Sequence, residues 1–298
     1  MKKILLFMLM VVCIACGKEK EDRIKIGITQ IVEHQSLDDV RQGVIDSLKA
    51  NGYGEDKVEI SYKNAQGDFG TAQIIAQEFK NTSDIVVAIS TPSAQAAVNN
   101  IKDKPIFFAA ITNPESAGVL AENVTGVSDR SPVKKQVELI KEILPETKKI
   151  GVVYNTSEQN SFYLTDEFKK EAEKNGYEVV IKGITNVNEI ASALDTILPE
   201  IDVLYTTIDN TIASTYPLII DKSKKANKPV IGATKSYVDQ GALASEGISD
   251  YKVGYQTGEM IVRYLKGEDI KNMKFEVVRE SERYINKEVA KNFKIVVE

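Results

Sequence analysis

The segment Ile150–Ser161, with the sequence IGVVYNTSEQNS, decides the fold because it joins an apolar run to a polar turn. The run from Ile150 to Tyr154 is rich in β-branched residues, which is typical of a strand that is covered on both faces. Open α/β sheets place their ligand sites at the carboxyl ends of parallel strands. The polar turn that begins at Asn155 is therefore predicted to carry ligand-binding side chains.

A similar pattern occurs earlier in the chain, which indicates an internal duplication. Ile26-Gly27 recurs 124 residues later as Ile150-Gly151. Two further pairs recur at the same offset: Asn51-Gly52-Tyr53 with Asn175-Gly176-Tyr177, and Lys104-Pro105 with Lys228-Pro229. Three recurrences at one offset predict two similar lobes, each of about the size of a domain.

Strand patterns alternate with helical patterns in both copies, which predicts an α/β fold with a doubly wound parallel sheet in each lobe. We expect lobe 1 to comprise residues 24–128 with about 250–267, and lobe 2 to comprise 129–249 with about 268–298. A single helix is expected near Ile212–Ala226. Two such lobes would close by a hinge around a ligand.

Composition excludes several classes of function. The 298-residue chain has a net charge of −5 and lacks a basic cluster, which argues against nucleic acid as a partner. Its two cysteines, Cys13 and Cys16, lie near the N-terminus, and His34 is the only histidine. Disulfides and thiolate catalysis in the body of the chain are thus excluded, as are zinc sites built from several Cys or His. We expect no cofactor and no metal.

The N-terminus has the pattern of an export signal. Lys2 and Lys3 precede an apolar run that is too short to span a bilayer, and the run ends in Cys13-Ile14-Ala15-Cys16-Gly17. This end resembles a bacterial lipobox, although Cys13 stands where leucine is usual. We expect residues 1–15 to be a signal peptide, Cys16 to carry the lipid, and 16–23 to be a tether. The alternative is an ordinary secretory signal with an incidental cysteine.

Candidate ligand-binding residues lie where predicted strands end. Asp209 would either pair with a substrate ammonium group or cap the next helix. Since asparagine also caps helices, Asp209→Asn is expected to weaken binding with little effect on stability. Ser90 and Thr91 precede a helix N-terminus, which suits a carboxylate but is equally compatible with capping. The complete candidate set is Gln30, Glu33, Ser90, Thr91, Thr112, Asn155, Asn160, Ser161, Asp209, Asn210 and Glu246.

Several short motifs, taken together and in order, resemble the ABC-transporter substrate-binding proteins of the tryptophan/tyrosine-binding type. They are Gln30-Ile31-Val32-Glu33-His34, Asn64-Ala65-Gln66-Gly67-Asp68, Ala88-Ile89-Ser90-Thr91-Pro92, Asn123-Val124-Thr125-Gly126-Val127-Ser128, Ser131-Pro132-Val133-Lys134-Lys135-Gln136 and Asp209-Asn210-Thr211. The resemblance implies a type I periplasmic-binding fold and capture of an amino acid, often aromatic, for a membrane permease and ATPase. The chain departs from the family pattern at Gln159, Phe162 and Tyr163.

We therefore expect an extracytoplasmic, monomeric solute-binding protein without catalysis, held at the membrane only by its lipid. One alternative is a sensor that presents its closed form to a membrane kinase. Another is an enzyme on the same scaffold, for which His34 or carboxylates would have to serve as the base.

Overall fold

Strands and helices alternate through the part of the chain that the computed structural model describes, residues 23–278 and 281–296. In chain order, the strands are β1 (Ile24–Gln30), β2 (Val58–Asn64), β3 (Ile85–Ile89), β4 (Ile106–Ala109), β5 (Val124–Ser128), β6 (Lys149–Asn155), β7 (Glu178–Ile184), β8 (Val203–Thr206), β9 (Val230–Gly232), β10 (Ala244–Gly247), β11 (Glu276–Val277) and β12 (Glu282–Ile285). The helices are α1 (Gln35–Ala50), α2 (Phe69–Thr82), α3 (Thr91–Asn100), α4 (Val133–Ile143), α5 (Gln159–Lys174), α6 (Ile190–Ile197), α7 (Asn210–Ser214), α8 (Tyr216–Lys225), α9 (Lys235–Asp239), α10 (Asp250–Leu265) and α11 (Lys287–Asn292).

The strands form two six-stranded sheets of matching order. The first sheet has the order β11-β5-β4-β3-β1-β2 and is parallel throughout. The second has the order β12-β10-β9-β8-β6-β7, and only β12 runs antiparallel to its neighbour. Strand β3 is buried along its whole length, as its apolar sequence predicts for a strand with helices on both faces. The predicted pair of doubly wound lobes is confirmed.

The repeated glycines have the same structural roles in the two lobes. A side chain at Gly27 would lie 2.7 Å from the ring of Phe79, and one at Gly151 would lie 2.5 Å from Ile201. Both glycines thus let the first strand of their lobe approach the chain that covers it. Gly52 and Gly176 follow α1 and α5 with positive φ angles of 83° and 89°, the left-handed conformation in which helices often end.

Two parts of the structure differ from the expectation. The segment expected to be one helix forms α7 and α8, and Pro217 lies in the first turn of α8, where its missing N–H is tolerated. We expected residues 268–298 in the second lobe, but β11 pairs with β5 in the first sheet. Only the later part, from β12 onward, joins the second sheet.

Helix α10 belongs to the first lobe and packs against α1. Glycines allow the close approach: a side chain at Gly254 would lie 1.9 Å from the carbonyl oxygen of Val40. The chain consequently crosses between the lobes at residues 129–132, at 248–249 and again between β11 and β12. These crossings form the hinge.

The buried side chain of Gln136 fastens the first crossing to the second lobe. Its Nε2 donates hydrogen bonds to Ser131 Oγ and to the carbonyl oxygen of Glu246, each at 2.9 Å. Its Oε1 accepts a hydrogen bond of 2.6 Å from the hydroxyl of Tyr205.

None of the helices in the described ranges has the length and apolar character needed to cross a membrane. The expected signal peptide and Cys16 lie outside the described residues.

Candidate ligand-binding site

A small cavity lies between the lobes where the carboxyl ends of their strands face each other. Its volume is about 20 Å³, which is room for roughly one water molecule. Six of the eleven predicted binding residues line it: Ser90, Thr91, Thr112, Asn160, Asp209 and Asn210. The other lining residues are His34, Ser36, Leu37, Ala110, Asp129, Ile208, Ala213, Thr234, Tyr237 and Asp250.

Several polar atoms of the cavity wall are buried without a hydrogen-bond partner. They are Ser90 Oγ, Thr112 Oγ1, Asp129 Oδ1, Asn160 Oδ1 and His34 Nδ1. Buried polar atoms are nearly always satisfied in proteins, because an unmade hydrogen bond costs free energy. A polar ligand enclosed in the cavity would supply a partner for each of these five atoms.

The first lobe contributes strained backbone and a helix N-terminus. Ser90 and Ala110 directly follow β3 and β4 and have positive φ angles of 82° and 56°, which are costly for residues other than glycine. The Ser90 hydroxyl makes no capping bond to α3, although Ser90 occupies the N-cap position. The hydroxyl therefore remains available to a ligand beside the N–H groups of the helix, an arrangement that suits a carboxylate.

Asp209 is held by backbone groups of the second lobe. Its Oδ1 accepts a hydrogen bond of 2.9 Å from the Ile212 N–H and so caps α7, while its Oδ2 accepts one of 2.6 Å from the Asn155 N–H. Burial, and then the nearby charge of Glu158, raise the pKa of Asp209 to about 7. Both carboxylate oxygens are thus engaged before any ligand arrives.

Glu158, which is not in the predicted set, organises the same corner. Its buried carboxylate accepts hydrogen bonds of 3.0 Å from the backbone N–H groups of Asn210 and Thr211. It also accepts a bond of 2.9 Å from the Thr211 hydroxyl. Glu158 lies in the polar turn of the Ile150–Ser161 segment, so the sequence did contain a signal for it.

Two further acidic residues at the cavity were not predicted. Asp129 and Asp250, 3% and 8% exposed, stand at the first and second crossings between the lobes. Burial raises the pKa of Asp129 to about 6, and the nearby Thr112 side chain opposes this rise in part. Burial also raises the pKa of Asp250 well above its ordinary value, and the charges of Asp129 and Asp39 add to this.

Five of the predicted residues lie outside the cavity wall. Gln30 bonds to Arg41 and Asp38 inside the first lobe, and the exposed Glu33 accepts a 3.0 Å hydrogen bond from Tyr62. Glu246 accepts hydrogen bonds from Ser281 and Arg283 near the hinge. Ser161 lies beside the Asp209 carboxyl. Asn155 borders a neighbouring depression of about 310 Å³, which is lined by both lobes and shares Asn210 with the cavity.

Direct contacts hold the two lobes together around the cavity. The hydroxyls of Ser36 and Ser236 share a hydrogen bond across the interface. His34 Nε2 lies 3.3 Å from Asn210 Oδ1, and Gln159 Nε2 donates to Ser116 Oγ at 3.0 Å. Each of these contacts joins a residue of the first lobe to one of the second, so they form only when the lobes are close.

Comparisons with known proteins agree with this architecture. Residues 25–298 match the family described as ABC transporter substrate binding protein. The chain is 41% identical to the tyrosine-binding protein of Clostridioides difficile over 274 residues, which cover 89% of this chain and 79% of that protein. It is 37% identical to an ABC domain from Streptococcus pneumonia solved in complex with L-Trp, with a TM-score of 0.89 over 93% of this chain and 96% of the other.

Two of the solved structures differ in how closely their shape matches that of this chain. A ligand-free, open structure of a substrate-binding protein with adhesive properties from Clostridium difficile is 41% identical and covers 92% of this chain and 96% of its own, yet its TM-score is 0.70. The L-Trp complex is less similar in sequence but closer in shape. The lobes described here therefore have the closed arrangement, in agreement with their direct contacts.

The resemblance inferred from the sequence motifs is confirmed, and so are the fold and the general function that it implies. This family consists of solute-binding proteins, which are extracytoplasmic, and not of enzymes. The chain belongs to the family of ABC transporter substrate-binding proteins.

Proposed function

We propose that this protein captures an amino acid, preferably an aromatic one, and delivers it to an ABC permease and its ATPase. The observation that carries this proposal is the group of unpartnered polar atoms around the cavity, contributed by both lobes. A polar ligand enclosed between the lobes would give these atoms their hydrogen bonds, which links ligand capture to closure of the lobes.

The chemistry of the cavity is complementary to a dipolar ion. Ser90, Thr112 and the N-terminus of α3 supply hydrogen-bond donors for a carboxylate. Asp129, Asp209 and Asp250 supply negative charge for an ammonium group, and the cavity wall contains no lysine or arginine from the described part of the chain. An α-amino acid carries both groups on one carbon atom and can contact the two sides at once.

The neighbouring depression supplies space for a side chain. The cavity of about 20 Å³ is far too small for a whole amino acid, but Asn210 also borders the depression of about 310 Å³. The ring of Tyr237 lies in the cavity wall and stacks on Tyr216 with 4.1 Å between ring centroids. An aromatic ligand agrees with this space and with the ligands named for two relatives, tyrosine and L-Trp.

The proposed setting is the outer face of the cell membrane. The lipobox-like Ala15-Cys16 junction supports a lipid anchor on Cys16 after removal of residues 1–15, with 16–23 as the tether. We propose a monomer that meets its permease while it is attached in this way. A role as sensor for a membrane kinase would be indicated if the neighbouring genes encode a kinase and no permease.

Thermal unfolding in the presence of candidate ligands tests the proposal. A ligand at a hundredfold excess over its Kd stabilises the folded protein by about 2.7 kcal/mol. We expect L-tyrosine or L-tryptophan to raise the Tm, and D-glucose and myo-inositol to leave it unchanged. A rise with a sugar and none with any amino acid would contradict the proposal, and mass spectrometry of the native protein would then identify the co-purified molecule.

A further inference from the structure

The hinge carries two acidic side chains that face the cavity. Asp129 directly follows β5 at the first crossing, and Asp250 begins α10 just after the second. Both line the cavity together with Asp209. Among the described residues, neither Asp129 nor Asp250 forms a salt bridge. Closed lobes thus bury two carboxylates for which the described part of the chain supplies no salt-bridge partner.

The three carboxylates of the cavity differ in the hydrogen bonds that they accept from the protein. Asp209 uses both oxygens for backbone N–H groups, whereas Asp129 Oδ1 has no hydrogen-bond partner. Asp250 lies beside the hydroxyl of Ser36, which also bonds to Ser236 across the lobes. Asp129 and Asp250 therefore have more unused hydrogen-bonding capacity for a ligand ammonium group than Asp209 has.

Burial of a carboxylate is costly unless hydrogen-bond donors, a cation or a proton offset that cost. A metal ion is an unsuitable cation here, because the described part of the chain contains no group of three acidic or histidine side chains arranged to hold one. An ammonium group suits the site, because it donates up to three hydrogen bonds and carries a single charge.

We propose that Asp129 and Asp250 together accept the ammonium group of the ligand, and that the lobes close only when the two carboxylates are neutralised, either by this ammonium group together with one proton or by two protons. The assignment of an ammonium ligand rests on the proposed function, whereas the proton-driven closure does not. Asp129 and Asp250, the hinge pair, would thereby make closure of the lobes selective for ligands with a positive charge next to their carboxylate.

Other charged groups near the hinge pair also contribute to the pH dependence of lobe closure. They are Asp209 and Glu158 from the second lobe, His34, Asp38 and Asp39 from the first, Tyr237 and Tyr284 beside Asp250, and the cations Arg130 and Lys235. Burial lowers the pKa of His34, so protonation of this residue opposes closure as the pH falls. A comparison between proteins that all retain His34 separates its effect from that of the hinge pair.

The sign of the pH dependence follows from the carboxylates. Their pKa is higher in the closed form than in an open, solvated form, so the closed form binds more protons. Closure is therefore favoured at low pH and lost as the pH rises through about 6, the pKa of buried Asp129. A double variant, Asp129→Asn with Asp250→Asn, has the shape of the protonated acids at every pH and should not show this loss.

Small-angle X-ray scattering of the ligand-free protein tests the hinge pair directly. At pH 8, we expect the double variant to have a smaller radius of gyration than the wild type. The closed-to-open ratios of the two proteins should approach each other by at least about tenfold between pH 8 and pH 5, because Asp129 alone accounts for about tenfold. The surface substitution Asp195→Asn is the matched control and should behave as the wild type does. Equal radii of wild type and double variant at pH 8 would overturn the proposal.

Ligand selectivity provides the second measurement, with L-tryptophan and its analogue without the amino group, indole-3-propionate, as probes. Calorimetry at pH 8 should show that the wild type prefers L-tryptophan and that the double variant shifts its preference toward indole-3-propionate by at least about tenfold. An unchanged preference would refute the ammonium assignment. If neither probe binds while the scattering result holds, the proposed aromatic ligand is wrong and the proton-driven closure stands.

Discussion

Asp209→Asn is expected to lower the free energy of unfolding by roughly 1–3 kcal/mol, the cost of leaving one buried N–H group unsatisfied. The Asp209 carboxylate accepts one backbone hydrogen bond on each oxygen, from Ile212 and from Asn155. An asparagine side chain has a single acceptor oxygen, so its NH₂ group would face one of these donors. The side chain is 1% exposed, so bulk solvent does not reach the donor that loses its acceptor.

Asp68→Asn is the matched control for this prediction. Asp68 also caps a helix, but it uses only Oδ1, which accepts hydrogen bonds of 2.6 Å from the Thr71 N–H and 2.7 Å from the Thr71 hydroxyl. Asparagine can keep this pattern, so we expect a change within about 0.5 kcal/mol, as for other surface substitutions. Urea unfolding of the two variants, compared through their midpoints at constant m, gives both values.

Equal stability of the two variants would refute the reasoning. It would mean that the bond to Asn155 contributes nothing and that Asp209 is only a helix cap, as its sequence position alone allowed. A large loss of ligand affinity in Asp209→Asn without any loss of stability would instead support the expectation from the sequence, in which Asp209 is the partner of the ammonium group.

Four further outcomes are expected. Ser90→Ala should weaken amino-acid binding by about 3- to 10-fold and leave the stability of the ligand-free protein unchanged, because the hydroxyl has no partner until a ligand arrives; calorimetry and urea unfolding measure the two effects. Ser36→Ala should shift the ligand-bound protein toward the open form, seen as a larger radius of gyration, because it removes the contact with Ser236. Tyr205→Phe should lower the free energy of unfolding by about 1–3 kcal/mol, because it leaves the buried Gln136 amide oxygen unpaired. Cys16→Ser should release the protein from membranes or leave an unprocessed precursor, which fractionation with immunoblotting would detect.

The duplicated fold could be predicted from the sequence because its signals are local. Gly27 and Gly151 recur at one offset because each lies where a covering side chain approaches the first strand of its lobe. The end of β3 likewise carries a local signal, since Ser90 directly follows a continuous apolar run. Strand ends of this kind identified six residues of the cavity wall.

The hinge side of the cavity could not be predicted in this way. Asp129 and Asp250 become neighbours only because the chain crosses between the lobes twice at this place, and neither crossing has a periodic sequence pattern. Glu33 and Glu246 are the opposite case, because their sequence positions resemble those of ligand-binding residues. The Glu33 carboxylate bonds to Tyr62, and the Glu246 carboxylate bonds to Ser281 and Arg283. Which polar residue remains without a protein partner depends on contacts between distant segments.

The arrangement of the last strands has a consequence for how the protein is made. The strand β11 completes the edge of the first sheet and β12 that of the second, and both arise from the final part of the chain. Helix α10, which covers α1, is also formed late. Neither lobe can therefore finish folding while the chain is still emerging from the ribosome or from an export channel. The connectivity of the fold itself thus delays completion of both sheets until β11 and β12 have been made.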